Sequence, residues 1–315
     1  MSRSDGVLNV NKPRGITSFA VVSGLRKTLG LKKIGHGGTL DPEASGVLPI
    51  YLNKATKIAP FLMDLSKEYL AVMHLGIVTD TQDATGRILE KREPVSLSEE
   101  QIMAVLASFT GEIEQVPPMF SALKYRGRRL YEMARQGIEV AREPRRVVIY
   151  RLTFQGYDPP YLTFHVSCSR GTYIRTLCAD IGDSLGVGGH MVSLHRTRVG
   201  ELNIEESIPY QEITREKSPE ILANRLYSMD RMLHFLPVVQ LTDEGERRIR
   251  QGISLSPEEL AGYPDNFRKG DLFRGHNAKE QLLGVLEALV DSETAHALRA
   301  EDIGSWFKAR RLLIR

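Results

Sequence analysis

Strand-like and helix-like runs alternate through the first two hundred residues, and this alternation constrains the fold more than any other feature of the chain. In KEYLAVMHLGIV, residues 67–78, a strand sets Tyr69, Ala71, Met73 and Leu75 on one face, because successive side chains point to opposite sides. YLTFHVSCS, residues 161–169, is a second strand that runs directly into a helix. GVLNVNKPRG reads as a short strand ended by a Pro/Gly turn, after which Thr17 or Ser18 caps the helix FAVVSGLRKTL. SLSEEQIMAVLASFTG is an amphipathic helix with a start signal at Ser96 or Ser98. The expected class is α/β in the broad sense that includes α+β. Near residue 236 the character changes: the strand PVVQL, a helix from about Thr242 to Gln251 and a closing strand in KARRLLIR form a second unit. We place the boundary between residues 236 and 237, giving segments 1–236 and 237–315.

Composition excludes several classes of protein. No run of roughly 18 apolar residues occurs and the N-terminus has no apolar signal region, so a soluble, unexported, cytoplasmic protein is expected. Cys168 and Cys178 are too few for a disulfide framework and lack the close-paired spacing of zinc sites, so no metal is expected. Charge distribution is more informative than the net +3. Between Met119 and Arg151 stand nine Lys/Arg, Lys124, Arg126, Arg128 and Arg129 among them, against three acids. With Phe120, Tyr125, Tyr131 and Tyr150 interleaved, this segment suits either a polyanion that carries bases or a solvated charged face. From residue 237 onward, twelve Lys/Arg face thirteen Asp/Glu, so any RNA contact there must rest on a patch such as Arg247, Arg248, Arg250, Lys308, Arg310 or Arg311.

Two segments carry candidate chemistry. In GHGGTLDPEASGVLPI, residues 35–50, Asp41 followed by Pro42 reads locally as a helix N-cap with Pro at the first helical position. In CSRGTYIRTLCADIG, residues 168–182, Ile174, Leu177, Cys178 and Ile181 form a helical apolar stripe with Thr172 as the natural N-cap. Arg175 therefore sits in the first turn, where the positive end of the helix dipole opposes it by a few tenths to about 1 kcal/mol. Either an anion compensates it, or it is a surface arginine paired with Asp180 or with solvent. TDTQDATGR, residues 79–87, lacks the spacing of a calcium loop and reads as a polar turn.

The segments HGGTLDPEASGVLP, KEYLAVMHLG, TDTQDATG, VPPMFSALKYRGRRLYEMARQG and SRGTYIRTLCADIG stand in one order, with NKPRGITS ahead of them. In that order and spacing the chain resembles the bacterial TruB-type tRNA pseudouridine synthases, densely over about residues 7–200. The resemblance implies a pseudouridine synthase fold with a mixed, largely antiparallel sheet and a catalytic cleft, followed by a small β-rich PUA-like domain. It implies Asp41 as the catalytic aspartate, Tyr69 as the tyrosine stacked on the target base and Arg175 as the arginine paired with the aspartate. His36 matches a histidine that holds the flipped-out RNA loop, and Leu194 an apolar residue beneath the base. Lys12 and Pro13 match a motif expected to support the pocket, with Lys12 counted on the substrate-binding side. The basic insertion, about residues 117–147, matches a clamp over the T-stem-loop.

The chemistry so implied joins C5 of uracil to C1′ of the sugar in place of N1, without net redox change or hydrolysis, so no cofactor is expected. A carboxylate in such a pocket needs a cation, since burial disfavours the charged form and a guanidinium favours it. The expected substrate is the T-loop uridine, position 55 of tRNA, reached by base flipping. The expected protein is a monomer that needs no guide RNA. A tRNA-binding RNA chaperone, whose folding role is independent of catalysis, is the alternative.

Overall fold

The computed structural model describes residues 5–92, 97–297 and 304–314. One sheet organises most of the chain. From one edge its strands run Ile208–Pro209, Gly6–Lys12, Ser45–Leu52, Gly189–Val199, Lys67–Leu75, Tyr161–Cys168, Arg145–Asp158 and Gly111–Gln115. The Gly189–Val199 strand pairs parallel with Ser45–Leu52 and antiparallel with Lys67–Leu75, so the sheet is mixed and largely antiparallel. Alternation fixes its faces: Tyr69, Ala71, Met73 and Leu75 are all buried, and they share a core with Phe164, Leu177, Cys178 and Ile181. That core sets the helix Ile174–Ser184 against the sheet and points its N-terminus at the loop that follows the short strand Ile34–His36.

Two helix starts follow the sequence and one departs from it. Thr17 accepts from Ala20 N at 3.0 Å, and Ser98 forms a capping box with Gln101; Ser96 lies outside the described residues. Thr172 does not cap its helix. Its hydroxyl donates to Ser169 O at 3.1 Å, and the helix begins after Tyr173, which Gln115 holds from both sides: Tyr173 N donates to Oε1 at 3.0 Å and Nε2 donates to Tyr173 O at 3.2 Å. A buried glutamine from the edge strand thus fixes the residue at which the helix starts, while no side chain caps it.

A second, five-stranded sheet runs Leu260–Gly262, Val238–Leu241, Leu272–His276, Leu282–Ala288, Phe307–Leu312, with a core that includes Trp306, Phe273 and Phe307. It is joined to the large sheet by more than the chain. Leu282, Val285 and Leu313 share an apolar cluster with Tyr51, Ile58, Leu62, Met229 and Leu233, and Asp230 accepts from Arg274 at 3.0 Å and pairs with His276 Nε2 at 2.8 Å. Lys57 adds a hydrogen bond to Leu312 O at 2.9 Å. Removing residues 237–315 therefore uncovers core. At about 1.5–3 kcal/mol per exposed aliphatic side chain, we expect the truncated chain to melt on the order of 10 °C lower. Calorimetry of both forms checks this, and an unchanged Tm would show the cluster to be energetically idle.

Candidate active site

Asp41 lies in the loop between Ile34–His36 and Ser45–Leu52, and no helix follows Pro42, so the N-cap reading is overturned. The loop is fastened at its backbone. Ser18 Oγ donates to Leu40 O at 3.1 Å and accepts from Leu40 N at 2.9 Å, while Gly15 N donates to Pro42 O at 2.9 Å. Lys12 completes the attachment. Its side chain is fully buried, and Nζ donates to Pro13 O, Ile16 O and Pro42 O at 2.8, 2.7 and 3.0 Å. All three N–H donors are engaged by backbone carbonyls, so in this structure Lys12, expected on the substrate-binding side, holds the Asp41 loop. Burial pushes its ammonium down to about 8. Gly37 allows the loop to lie flat on Tyr51, whose hydroxyl would stand 2.3 Å from an added Cβ.

Fastened in this way, Asp41 meets Arg175. Arg175 Nε stands 3.1 Å from Asp41 Oδ2, with the guanidinium buried and the carboxylate 42% exposed, so the acid opens to solvent while its counter-ion does not. The anion that a cation in a first helical turn demands is therefore present. Asp180 is not among the partners of Arg175, and burial pushes its carboxyl up to about 6.

Sequence reasoning missed a second anion. Asp83, in the segment read as a polar turn, places Oδ2 3.5 Å from Arg175 NH1. Its other oxygen accepts from Thr81 Oγ1, Thr85 N and Thr85 Oγ1 at 2.7, 2.9 and 2.6 Å. Arg175 NH1 also donates to Thr81 O at 3.3 Å, and NH2 donates to Phe120 O at 2.7 Å. The guanidinium is thus held on four sides, and one of its bonds reaches the root of the basic insertion. We expect Asp83→Asn, which keeps the threonine bonds but removes the charge, to slow single turnover about tenfold to a hundredfold with RNA affinity unchanged. An unchanged rate would show that Asp41 and the two carbonyls alone orient Arg175.

Tyr69 is buried on the strand Lys67–Leu75 and belongs to the same apolar cluster as Leu40, Ala44, Ile174 and Leu194. Burial raises the phenol above its usual range, with the Arg196 guanidinium opposing. His36 lies half-buried at the start of the loop; its Nδ1 finds no partner among the described residues, and burial, then Arg196, lower its pKa toward the neutral form. The insertion forms a hairpin, Lys124–Tyr125 with Arg128–Arg129, and a short helix Leu130–Ala134 on a small core of Met119, Leu130 and Met133. Lys124, Arg126, Arg128 and Arg129 are exposed, and among the described residues none is ion-paired; Arg126 lies over the Tyr125 ring at 5.4 Å. The C-terminal cations differ. Arg247, Arg248, Arg250, Lys308 and Arg310 stand within 2.6–3.5 Å of Glu244, Glu259, Glu246 and Glu287.

An ion-paired aspartate that opens to solvent thus stands near a buried tyrosine on a mixed sheet. Solved structures share this architecture. The chain superposes on that of a Cbf5–Nop10–Gar1 complex with a TM-score of 0.79 at 30% identity, covering 99% of this chain and 86% of that one. It superposes on that of an H/ACA RNP bound to a substrate RNA containing 2′-deoxyuridine with a TM-score of 0.76 at 28% identity and the same coverage. Residues 26–174 match the model of the TruB family pseudouridylate synthase N-terminal domain, and residues 175–234 that of the tRNA pseudouridylate synthase B C-terminal domain. The tRNA pseudouridine synthase B of Clostridium kluyveri is 43% identical over 89% of this chain and 94% of its own length; that of Thermotoga maritima is 41% identical over 94% of each. The chain belongs to the TruB family of pseudouridylate synthases.

Proposed function

We propose that this chain isomerises the T-loop uridine of tRNA to pseudouridine, with Asp41 as the catalytic carboxylate, Arg175 as its counter-ion and Tyr69 as the ring against the extruded base. The Asp41–Arg175 pair carries this reading, because it joins a carboxylate that is open to solvent to a buried guanidinium, beside an apolar cluster that includes Tyr69 and Leu194. A base within a folded loop has to be extruded to reach that acid. The unpaired cations of the insertion are free to meet phosphate without first breaking an ion pair, which supports their role as the clamp on the T-stem-loop. In this reading His36, at the head of the Asp41 loop, contacts the flipped-out RNA loop.

Residues 1–236 form the catalytic unit and residues 237–315 a PUA-like RNA-binding unit in this proposal. Its support is a second sheet that starts at Val238 and a family match that ends at residue 234. Because five of the six cations of its expected patch, all but Arg311, are paired with the unit's own carboxylates, that patch makes few phosphate contacts. The chain acts as a monomer on tRNA in the cytoplasm, without guide RNA. The test is incubation of the purified chain with unmodified tRNA transcript, followed by chemical mapping of pseudouridine. Modification confined to the T-loop is expected. No modification of bare transcript, with tRNA still bound, would favour the chaperone reading.

A further inference from the structure

From Gly6 to Leu40 the chain carries six Lys/Arg and no Asp or Glu, where its average composition would place about four acids. Lys12 is buried and Arg14 stands 3.5 Å from Glu43. Arg26, Lys27, Lys32 and Lys33 are exposed, and among the described residues none of these four is ion-paired. The helix Ser18–Leu29 buries Ser18, Val21, Val22 and Leu25, while the stripe beside them carries Phe19, Ser23, Arg26 and Lys27 at i, i+4, i+7 and i+8 spacing. Phe19 is 69% exposed, more than any other large apolar side chain among the described residues. The helix dipole accounts for Arg26 and Lys27 in the last turn. It accounts neither for Lys32 and Lys33, which lie beyond the Gly30 cap, nor for an aromatic ring held in water.

Strand register places this helix beside the site. Lys12 stands opposite Gly46, Gly46 opposite the buried Arg196, and Arg196 opposite Tyr69, and directly opposed residues share a face. Leu8 and Val10 alternate onto the same face as Lys12, where they pack with Val21, Val22 and Leu25. Ser18–Leu29 and Ile174–Ser184 therefore cover one face of the sheet, the first over Gly6–Lys12 and Ser45–Leu52, the second over Lys67–Leu75 and Tyr161–Cys168. The Asp41 loop is held at the start of each helix, by Ser18 at Leu40 and by Arg175 at Asp41. The basic insertion leaves the sheet near its far edge, between Gly111–Gln115 and Arg145–Asp158, about 24 Å from Gly6–Lys12 at the usual strand spacing. We propose that the helix Ser18–Leu29 and the turn after it form a second RNA-binding wall, across the Asp41 loop from the insertion: Arg26, Lys27, Lys32 and Lys33 hold backbone phosphates of tRNA, and Phe19 stacks on an unpaired base. Charge selects the occupant. Four free cations without an acid suit a polyanion, and an exposed ring on the same stripe suits one that carries bases. A second copy of this chain, at a net +3, has no overall attraction to such a surface.

This inference rests on the function proposed above, and its test separates the two. Wild type, Phe19→Ala, Phe19→Trp and the double variants Arg26→Gln/Lys27→Gln and Lys32→Gln/Lys33→Gln are compared as full-length chains. Affinity for unmodified tRNA transcript is measured across a salt series, together with KM, Tm and sedimentation. Each cation pair is expected to weaken tRNA binding about tenfold and to flatten the plot of log affinity against log salt by about one to two units of slope. Phe19→Ala is expected to weaken binding at least about fivefold with the slope unchanged, because stacking releases no counterions. Phe19→Trp keeps a stacking face and is expected to bind as wild type does. In the weakened variants the loss falls on KM. Wild-type affinity in Phe19→Ala or in the cation variants, losses that follow Tm, or a change in self-association without one in tRNA affinity would overturn the proposal and leave the function standing. Transcript that binds in the expected manner but is not modified would overturn the function and leave this surface standing.

Discussion

Asp41→Asn is expected to leave RNA affinity within about threefold of wild type and to lower turnover by at least roughly 10⁴-fold. Affinity survives because the turn at Asp41 is made by the backbone, with Ala44 N donating to Asp41 O at 3.1 Å, and because Ser18, Gly15 and Lys12 fasten the loop at Leu40 and Pro42. Asparagine alters none of these bonds. The risk to the fold is an uncompensated buried guanidinium, which would cost about 3–5 kcal/mol. Asp83 removes most of that risk, since it still faces Arg175 NH1 at 3.5 Å, and Thr81 O and Phe120 O still accept from the same group. The lost charge at the reacting centre has no such substitute, so the effect falls on rate. Single-turnover kinetics and filter binding on one RNA separate the two quantities. Turnover within tenfold of wild type would return Asp41 to a structural role.

How much of this was legible in the sequence depends on the range of the physics at each residue. The face of Tyr69, Ala71, Met73 and Leu75 was legible because strand alternation is local, and so was the apolar stripe of the Ile174–Ser184 helix. The demand for an anion at Arg175 was legible from the dipole alone. Which anions answer it was not legible from local physics, though the resemblance named Asp41, because Asp41 and Asp83 come from separate loops, and each has a sufficient local explanation: Asp-Pro mimics a cap, and Asp with Thr on either side mimics a turn. Asp83 does make that turn, with one oxygen, and its second oxygen makes the site. Thr172 failed as a cap for a similar reason: Gln115, from a distant strand, competes for the helix start. The pairing of Arg247 and Arg250 with Glu244 and Glu246, three and four residues away, was available from helical spacing in DEGERRIR. It weighs against the patch that composition suggested. Lys12 and Arg196 carry no local mark of burial; only the register of the sheet places them beneath the loop.

Arg175→Met is expected to slow the chemical step by several orders of magnitude, and Arg175→Lys to recover only a fraction of that loss. The argument rests on the number of partners. The guanidinium meets two carboxylates and two carbonyls, on the catalytic loop, the Thr81–Thr85 turn and the start of the insertion. Methionine fills much of the same volume but leaves Asp41 facing Asp83 across a vacated position, and two like charges there repel where an attraction stood before. Solvent screens part of the loss at Asp41, which is 42% exposed, but about 1.4 kcal/mol in the barrier is already a factor of ten in rate. Lysine restores the charge at one point, on a flexible stem, and cannot hold both carboxylates and both carbonyls in one plane. It is therefore expected to protect the fold better than the rate. Arg175→Lys should melt within about 3 °C of wild type and bind RNA normally, while single turnover stays at least roughly tenfold down. Full activity in the lysine variant would show that charge alone, without the planar fork, satisfies Asp41. Loss of RNA affinity in step with rate would instead make Arg175 the anchor of the insertion through Phe120 O, with the pairing to Asp41 secondary.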